Sequence, residues 1–412
     1  MAQLDTIVIA NDTAWLNGGT AKVAFTEARG LVERGLRVIF FAPAGPIDPA
    51  LAASGAEVIC LDQPDILDDS QRLRAMVRGI WNRAASRALR EVLAPLDPAR
   101  TAIHAHSFSR ALSPALGPVL SGAGFAALYT MHEYFLACPN GGFYDYRAEE
   151  ICTRRPMGRS CLSTNCDARS PIHKGWRSLR QAALWGPGGL PGNLTDIAYI
   201  SETQLALMRP YLPPNARLHP ILNPVEFDDR APRVEAEKND VFLFVGRLMP
   251  EKGALDFSRA AREAGVRAVF LGSGPQDEAI RAANPDAEMM GWVSSTEVKG
   301  WLGRARALVF PSVWPEPFGL VAAEALSRGV PAIVGRWNAA SEMVEDGVNG
   351  LVYGQRSELA AALTTLTREN AAAMSHAAYA RRRQYAATPE EHCDRICQVL
   401  SDVHGHAGFV RQ

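Results

Sequence analysis

The chain has 412 residues, enough for two domains that each bury a core, and its 43 basic and 44 acidic side chains leave a formal net charge of -1. That balance excludes a global field that would gather nucleic acid or an anionic membrane, so such a partner would have to be met by a local patch. No apolar run approaches the roughly 18 residues that a membrane span needs.

The amino terminus, MAQLDTIVIAND, has a four-residue apolar core without a basic flank. A signal peptide is therefore not expected, and a cytoplasmic location with reduced thiols is. From there, β-rich runs alternate with helical patterns: TIVIA, RVIFFAP, AEVICLD, TAIHAHS and AALYTMH, all before residue 135. This alternation predicts parallel βα units. After the first strand, Gly18 and Gly19 open a helix and let backbone pass close to a bound diphosphate or acceptor. The loop lacks the G-x-G-x-x-G of dinucleotide binders, which counts against a dehydrogenase. His104 and His106 are expected on opposite faces of their strand and carry no assigned chemistry, whereas His132 ends a strand, where site residues collect.

Residues 134–193 break the alternation and read as an insertion over the acceptor side of the cleft. Cys138, Cys152, Cys161 and Cys166 occur there as C-x13-C-x8-C-x4-C, in a Gly-, Pro- and Arg-rich stretch without a hydrophobic pattern. A closed tetrahedral zinc site that replaces the missing core is the leading expectation, an iron–sulfur cluster the second, and independent thiols or two disulfides the remaining alternative. Arg154, Arg155, Arg159 and Arg169 suit an anionic acceptor, with a solvated basic loop as the plainer reading. A peripheral membrane contact would run through these arginines or through the helix bearing Arg83, Arg87 and Arg90.

A Pro-rich, charged stretch near 225–240 predicts the connection to a second series of strands: VFLFVG, VRAVFLG, ALVFPS and PAIVG. The expected domains are 1–225, 240–385, and a carboxyl-terminal helix over 386–412 that packs back toward the first domain. Two doubly wound α/β sheets would thus face each other across a cleft at their strand ends. Arg247 and Lys252 in FVGRLMPEKG stand at its mouth and suit a diphosphate. Gly272 in FLGSGP offers close backbone approach, and GWVSSTEV offers backbone groups near Val293 beside a helix cap. In WPEPFGLVAAEALSRG, the amides of Phe318, Gly319 and Leu320 begin a helix and can receive phosphate, Glu316 can bind ligand hydroxyls, and Glu324 suits a ribose diol. Cys393 and Cys397, with His392, read as core.

The ordered set GRLMPEKG, GSGP, GWVSSTEV, PSVWPEPFGLVAAEALSRGVPAIVG and NGLVY resembles the retaining glycosyltransferases of family 4, which have the GT-B fold. The resemblance covers about 110 residues densely. It implies that Arg247 and Lys252 hold the donor diphosphate, that Glu316 and His132 contact the transferred sugar from opposite sides, and that Phe318, Gly319 and Leu320 present amides to sugar and phosphate. Gly18 and Gly19 would form the family's glycine loop, Glu324 would bind the ribose, and Val293 would adjoin the base. The implied function is transfer of a hexosyl unit from a nucleotide-sugar to a glycan or lipid-linked acceptor, without a catalytic metal. A nucleotide-sugar epimerase or a non-catalytic scaffold that binds a partner through the insertion are the alternatives. Oligomeric state is not legible.

Overall fold

The structure is a computed structural model that describes residues 4–226 and 230–410, with side chains described to residue 406. Residues 227–229 of the expected domain connection, and the outermost ends of the first and last expected segments at 1–3 and 411–412, lie outside the described residues.

The first domain carries β1 (Thr6–Ala10), β2 (Arg37–Ala44), β3 (Glu57–Gln63), β4 (Thr101–Ala105) and β5 (Ala126–Thr130), then a small hairpin of β6 (Tyr144–Asp145) and β7 (Glu150–Ile151), then β8 (Asp196–Tyr199) and β9 (Arg217–Pro220). Apart from the hairpin these strands form one parallel sheet in the order β3-β2-β1-β4-β5-β8-β9. The second domain builds a six-stranded parallel sheet from β10 (Val241–Val245), β11 (Arg267–Leu271), β12 (Glu288–Gly291), β13 (Ala305–Phe310), β14 (Ala332–Gly335) and β15 (Gly350–Tyr353), in the order β12-β11-β10-β13-β14-β15.

Continuous apolar runs suit such strands because both faces are covered. In β10, Phe242 and Phe244 enter one core with Phe257 and Phe270, while Val241 and Leu243 enter the core on the opposite face. Strand order reverses between β1 and β4 in one sheet and between β10 and β13 in the other, which opens a crevice at the carboxyl ends of these strands. The two crevices face each other.

The last helix, Pro389–Val410, returns to the first domain: Ile396, Val399, Leu400 and Val403 recur at helical spacing and pack in one core with Ile7, Ile9, Ala24 and Ala28. No helix among the described residues is long and apolar enough to cross a membrane.

Residues 134–193 are better organised than their composition suggests. They contain a 15-residue helix, Pro171–Trp185, begun by proline in its first turn behind the capping hydroxyl of Ser170. Tyr134, Leu136, Cys138, Phe143, Leu184 and Leu190 are buried in the first domain's core. The expected lack of a core is therefore corrected.

Candidate active site

A cleft of about 1080 Å³ lies between the two sheets. Its lining includes Gly18, Gly19 and His132 from the first domain, and Arg247, Lys252, Glu316, Phe318, Gly319 and Leu320 from the second. Sequence reasoning placed all of these in the cleft.

Lys252 and Glu316 come from the loops that follow β10 and β13, the two strands at the point where the order reverses. Lys252 Nζ sits 2.6 and 2.8 Å from the two carboxylate oxygens of Glu316. Ser312 Oγ and Trp314 Nε1 also donate to Glu316 Oε2, at 2.7 and 3.1 Å. Burial pushes this carboxyl up, but the Lys252 charge and the four hydrogen bonds outweigh that and hold it below its ordinary range. Lys252 is thus a cation held by an ion pair inside the cleft, while Arg247, 69% exposed at its side chain and 3.8 Å from Glu251, reaches into solvent at the cleft mouth.

The helix Leu320–Ser327 starts behind Gly319, whose left-handed φ of 97° turns the chain out of the PEPF segment. The amides of its first turn point toward the cleft. The first domain steadies this turn: Tyr134 Oη donates to Pro315 O at 2.7 Å, and Ser201 Oγ donates to Pro317 O at 2.6 Å. Gly19 faces the same helix, since a Cβ there would stand 3.0 Å from Leu320 Cδ1.

Three expected donor-side residues are not in the lining of the cleft. Gly272 is not in the lining: a Cβ there would lie 1.9 Å from Gly246 O, so this glycine lets the turns after β10 and β11 pass each other. Val293 packs half-buried against the second domain's core, and the neighbouring Trp292, 83% exposed, is the side chain that reaches solvent. Glu324 lies outside the lining and accepts from Lys22 Nζ of the glycine-loop helix at 2.9 Å across the domains.

Lys22 itself escaped the sequence reading, although its place three residues after Gly19, on the same helix face, was the available signal. Among the lining residues that the sequence reading missed are Arg180 and Glu133. Arg180, from the insertion helix, lies 4.7 Å from the Phe135 ring centroid and donates to Ser109 O at 2.7 Å; burial pushes its guanidinium down to about 10. No local pattern announces it. Glu133 follows His132 directly and reaches the solvent of the cleft while walled by protein; that desolvation, with the charge of Asp12, raises its carboxyl to about 6. Asp12 is occupied by the backbone amides of Arg110, Ala111 and Leu112 at 2.8 to 2.9 Å.

The Glu133 shift has a sign that can be checked. Between the ordinary value of 4.5 and about 6, the folded protein keeps a proton that the unfolded chain has released, so this group's contribution to stability falls as pH rises through that window. Glu133→Gln should melt at the same temperature as wild type below pH 4.5 and above it at pH 7. Parallel melting curves across the whole range would remove the shift.

The insertion presents Arg169, Ile172, Trp176 and Arg177 to the cleft, whereas Arg154 is paired with Asp145 at 2.9 Å. Cys138, Cys161 and Cys166 are buried and Cys152 half-buried, all as free thiols. Lys174 Nζ stands 3.5 Å from Cys161 Sγ and 3.2 Å from Cys166 Sγ, and Arg154 approaches Cys152 Sγ at 3.7 Å. Among the described residues, the one group of three metal-capable side chains with close ligand atoms is Glu27, His104 and His106. The two histidines face the same carboxylate, which corrects the expectation of opposite faces: residues two apart on a strand share a side.

The two sheets and the cleft between them define a GT-B scaffold. Residues 225–383 match the family model for glycosyl transferases group 1. The chain is 34% identical over 158 residues to glycogen synthase of Mycobacterium tuberculosis, across 34% of this chain and 37% of that protein. It thus spans little more than a third of the length of that curated relative. Among solved structures, Anabaena HepE in complex with UDP-glucose superposes with a TM-score of 0.65 at 18% identity, over 97% of this chain and 99% of that one. Sucrose-phosphate synthase of Thermosynechococcus elongatus gives 0.67 at 15% identity, over 98% and 100%.

Proposed function

We propose that this protein is a retaining glycosyltransferase that moves a hexosyl unit from a nucleotide-sugar to a glycan or lipid-linked acceptor. The observation that carries the reading is the start of the helix Leu320–Ser327, set beside Arg247 and the Lys252–Glu316 pair and facing Gly18, Gly19 and His132 across the cleft. A helix N-terminus with a guanidinium and an ammonium nearby is suited to a leaving diphosphate.

In this reading the bond between the sugar's anomeric carbon and the donor phosphate breaks as the bond to the acceptor oxygen forms on the same face. The acceptor proton passes to the departing phosphate oxygen. Arg247, Lys252 and the amides of Phe318, Gly319 and Leu320 stabilise the charge on that phosphate, each such donor being worth about 10²-fold or more in rate. Glu316, held by Lys252, and His132 orient the sugar; Glu324 takes the ribose hydroxyls once Lys22 shares or yields its oxygen. An epimerase is less well supported, because Asp12 is fully engaged and Glu133 lacks a carboxylate partner free to share acid and base roles. The direct test follows slow hydrolysis of nucleotide-sugars by nuclear magnetic resonance. Release of the sugar with its anomeric configuration kept supports the reading; an inverted product, or none with any common donor, refutes it.

A lipid-linked acceptor fits the surface beside the acceptor-side mouth. On the helix Arg72–Ile80, Leu73 is 80% and Val77 68% exposed next to Arg72 and Arg74, and Ile172 of the insertion helix is 76% exposed. Trp176 Nε1 ties the two helices through Met76 O at 3.0 Å. Apolar side chains ringed by arginines suit an anionic lipid surface. The protein should float with anionic vesicles, and Leu73→Asp with Val77→Asp should abolish flotation while leaving nucleotide affinity unchanged. Wild-type protein that stays unbound to such vesicles would contradict the lipid assignment.

A further inference from the structure

Behind His132 lies a cluster that the transfer reaction does not use. Glu27 comes from the helix Gly19–Glu33, His104 from β4 and His106 from the residue just beyond it; all three are at most 1% exposed. Glu27 Oε2 stands 2.8 Å from His104 Nδ1 and 3.2 Å from His106 Nε2. These contacts are not aligned as hydrogen bonds: Glu27 Oε2, His104 Nδ1 and His106 Nε2 all belong to the buried polar atoms left without a hydrogen-bond partner.

The other polar atom of each group is held from behind. His392 Nε2 lies 2.9 Å from Glu27 Oε1, Thr130 Oγ1 2.7 Å from His104 Nε2, and His132 Nε2 3.1 Å from His106 Nδ1. Three unpartnered ligand atoms facing inward, each fixed by an outer partner, is the arrangement that orients metal ligands. A tetrahedral zinc ion with bonds of about 2.0 Å sets its ligand atoms about 3.3 Å apart, close to the separations found here.

We propose that Glu27, His104 and His106 bind one divalent transition-metal ion of the zinc type. The donor set of two imidazoles and one carboxylate suits such an ion and not calcium or magnesium. The ion joins the glycine-loop helix to β4, and the His392 contact carries that staple to the C-terminal helix. Metal on His106 Nε2 also leaves its proton on Nδ1, which then donates to His132 Nε2 and places the proton of neutral His132 on Nδ1. This site stands independently of the proposed transfer activity.

The test uses the full chain, stripped with chelator and then titrated with Zn²⁺ and Co²⁺. One equivalent should bind and raise the melting temperature. The cobalt form should show visible bands of nitrogen and oxygen ligands without an intense near-ultraviolet thiolate band. Glu27→Gln and His104→Ala should each weaken zinc binding by about 100-fold, and Cys161→Ser should leave it unchanged. Because the core variants can fail to fold, the wild-type cobalt spectrum decides on its own. No binding at micromolar metal, or a thiolate band that places the ion among the cysteines, overturns the proposal.

Discussion

Lys252→Ala should lower sugar transfer by about 100-fold or more and cost about 3 kcal/mol of folding stability. The two effects have one origin. Among the described residues, Lys252 is the only cation within hydrogen-bond reach of Glu316, and the side chains are 17% and 16% exposed. Removing the ammonium leaves a nearly buried carboxylate with only Ser312 and Trp314 as donors. Its carboxyl, now held below the ordinary 4.5, should rise, so the variant should recover part of its deficit as pH falls and Glu316 protonates. Wild type should behave oppositely, losing the pair's contribution as pH falls through the depressed value. Lys252→Met with Glu316→Gln should regain stability without activity, which separates the buried charge from the phosphate contact. A stable and active Lys252→Ala would show that the pair serves neither purpose.

Gly253→Ala should be at least as damaging to the fold. Gly253 adopts φ 69° immediately before the helix Ala254–Ala264, and a Cβ there would stand 2.1 Å from Pro311 O. The backbone after β13 must then move, and with it Ser312 and the seat of Glu316, while Lys252 is the adjacent residue. A cost of about 3 kcal/mol or more is expected, against about 1 kcal/mol for a left-handed glycine in open space. Gly265 supplies that control, with φ 64° and nothing within 4 Å of the added methyl. Thermal melts of Gly253→Ala and Gly265→Ala side by side isolate the clash; equal losses would mean that the carbonyl of Pro311 gives way freely.

What the sequence made legible follows signal strength. Runs such as VFLFVG and TIVIA announce central strands because burial on both faces demands unbroken apolar side chains. The edge strands β9 and β12, RLHP and EMMG, were not anticipated: they are four residues long and partly exposed, so neither composition nor alternation marks them. Arg247, Lys252, Glu316 and Gly319 were legible because each lies at a strand end or helix start, where local geometry implies a site. Glu324 was legible as a carboxylate on an apolar helix, but not its partner Lys22, 302 positions away in the chain. Separation in sequence also hid Arg180, 71 positions from its acceptor Ser109, and the meeting of Glu27, His104 and His392. The insertion misled because its buried residues are spread through loops, where no period of two or 3.6 links them.

The central claim is that a nucleotide-sugar seats its diphosphate between Arg247 and the start of the helix Leu320–Ser327. Calorimetric titration of wild type and Arg247→Ala with UDP, GDP, ADP and dTDP tests it most directly. The account predicts micromolar binding of at least one nucleotide, weakened about 10-fold or more by the substitution, since a charge-assisted phosphate contact contributes roughly 1.5 kcal/mol or more. Absence of binding across the four, or an affinity that Arg247→Ala leaves unchanged, would contradict it.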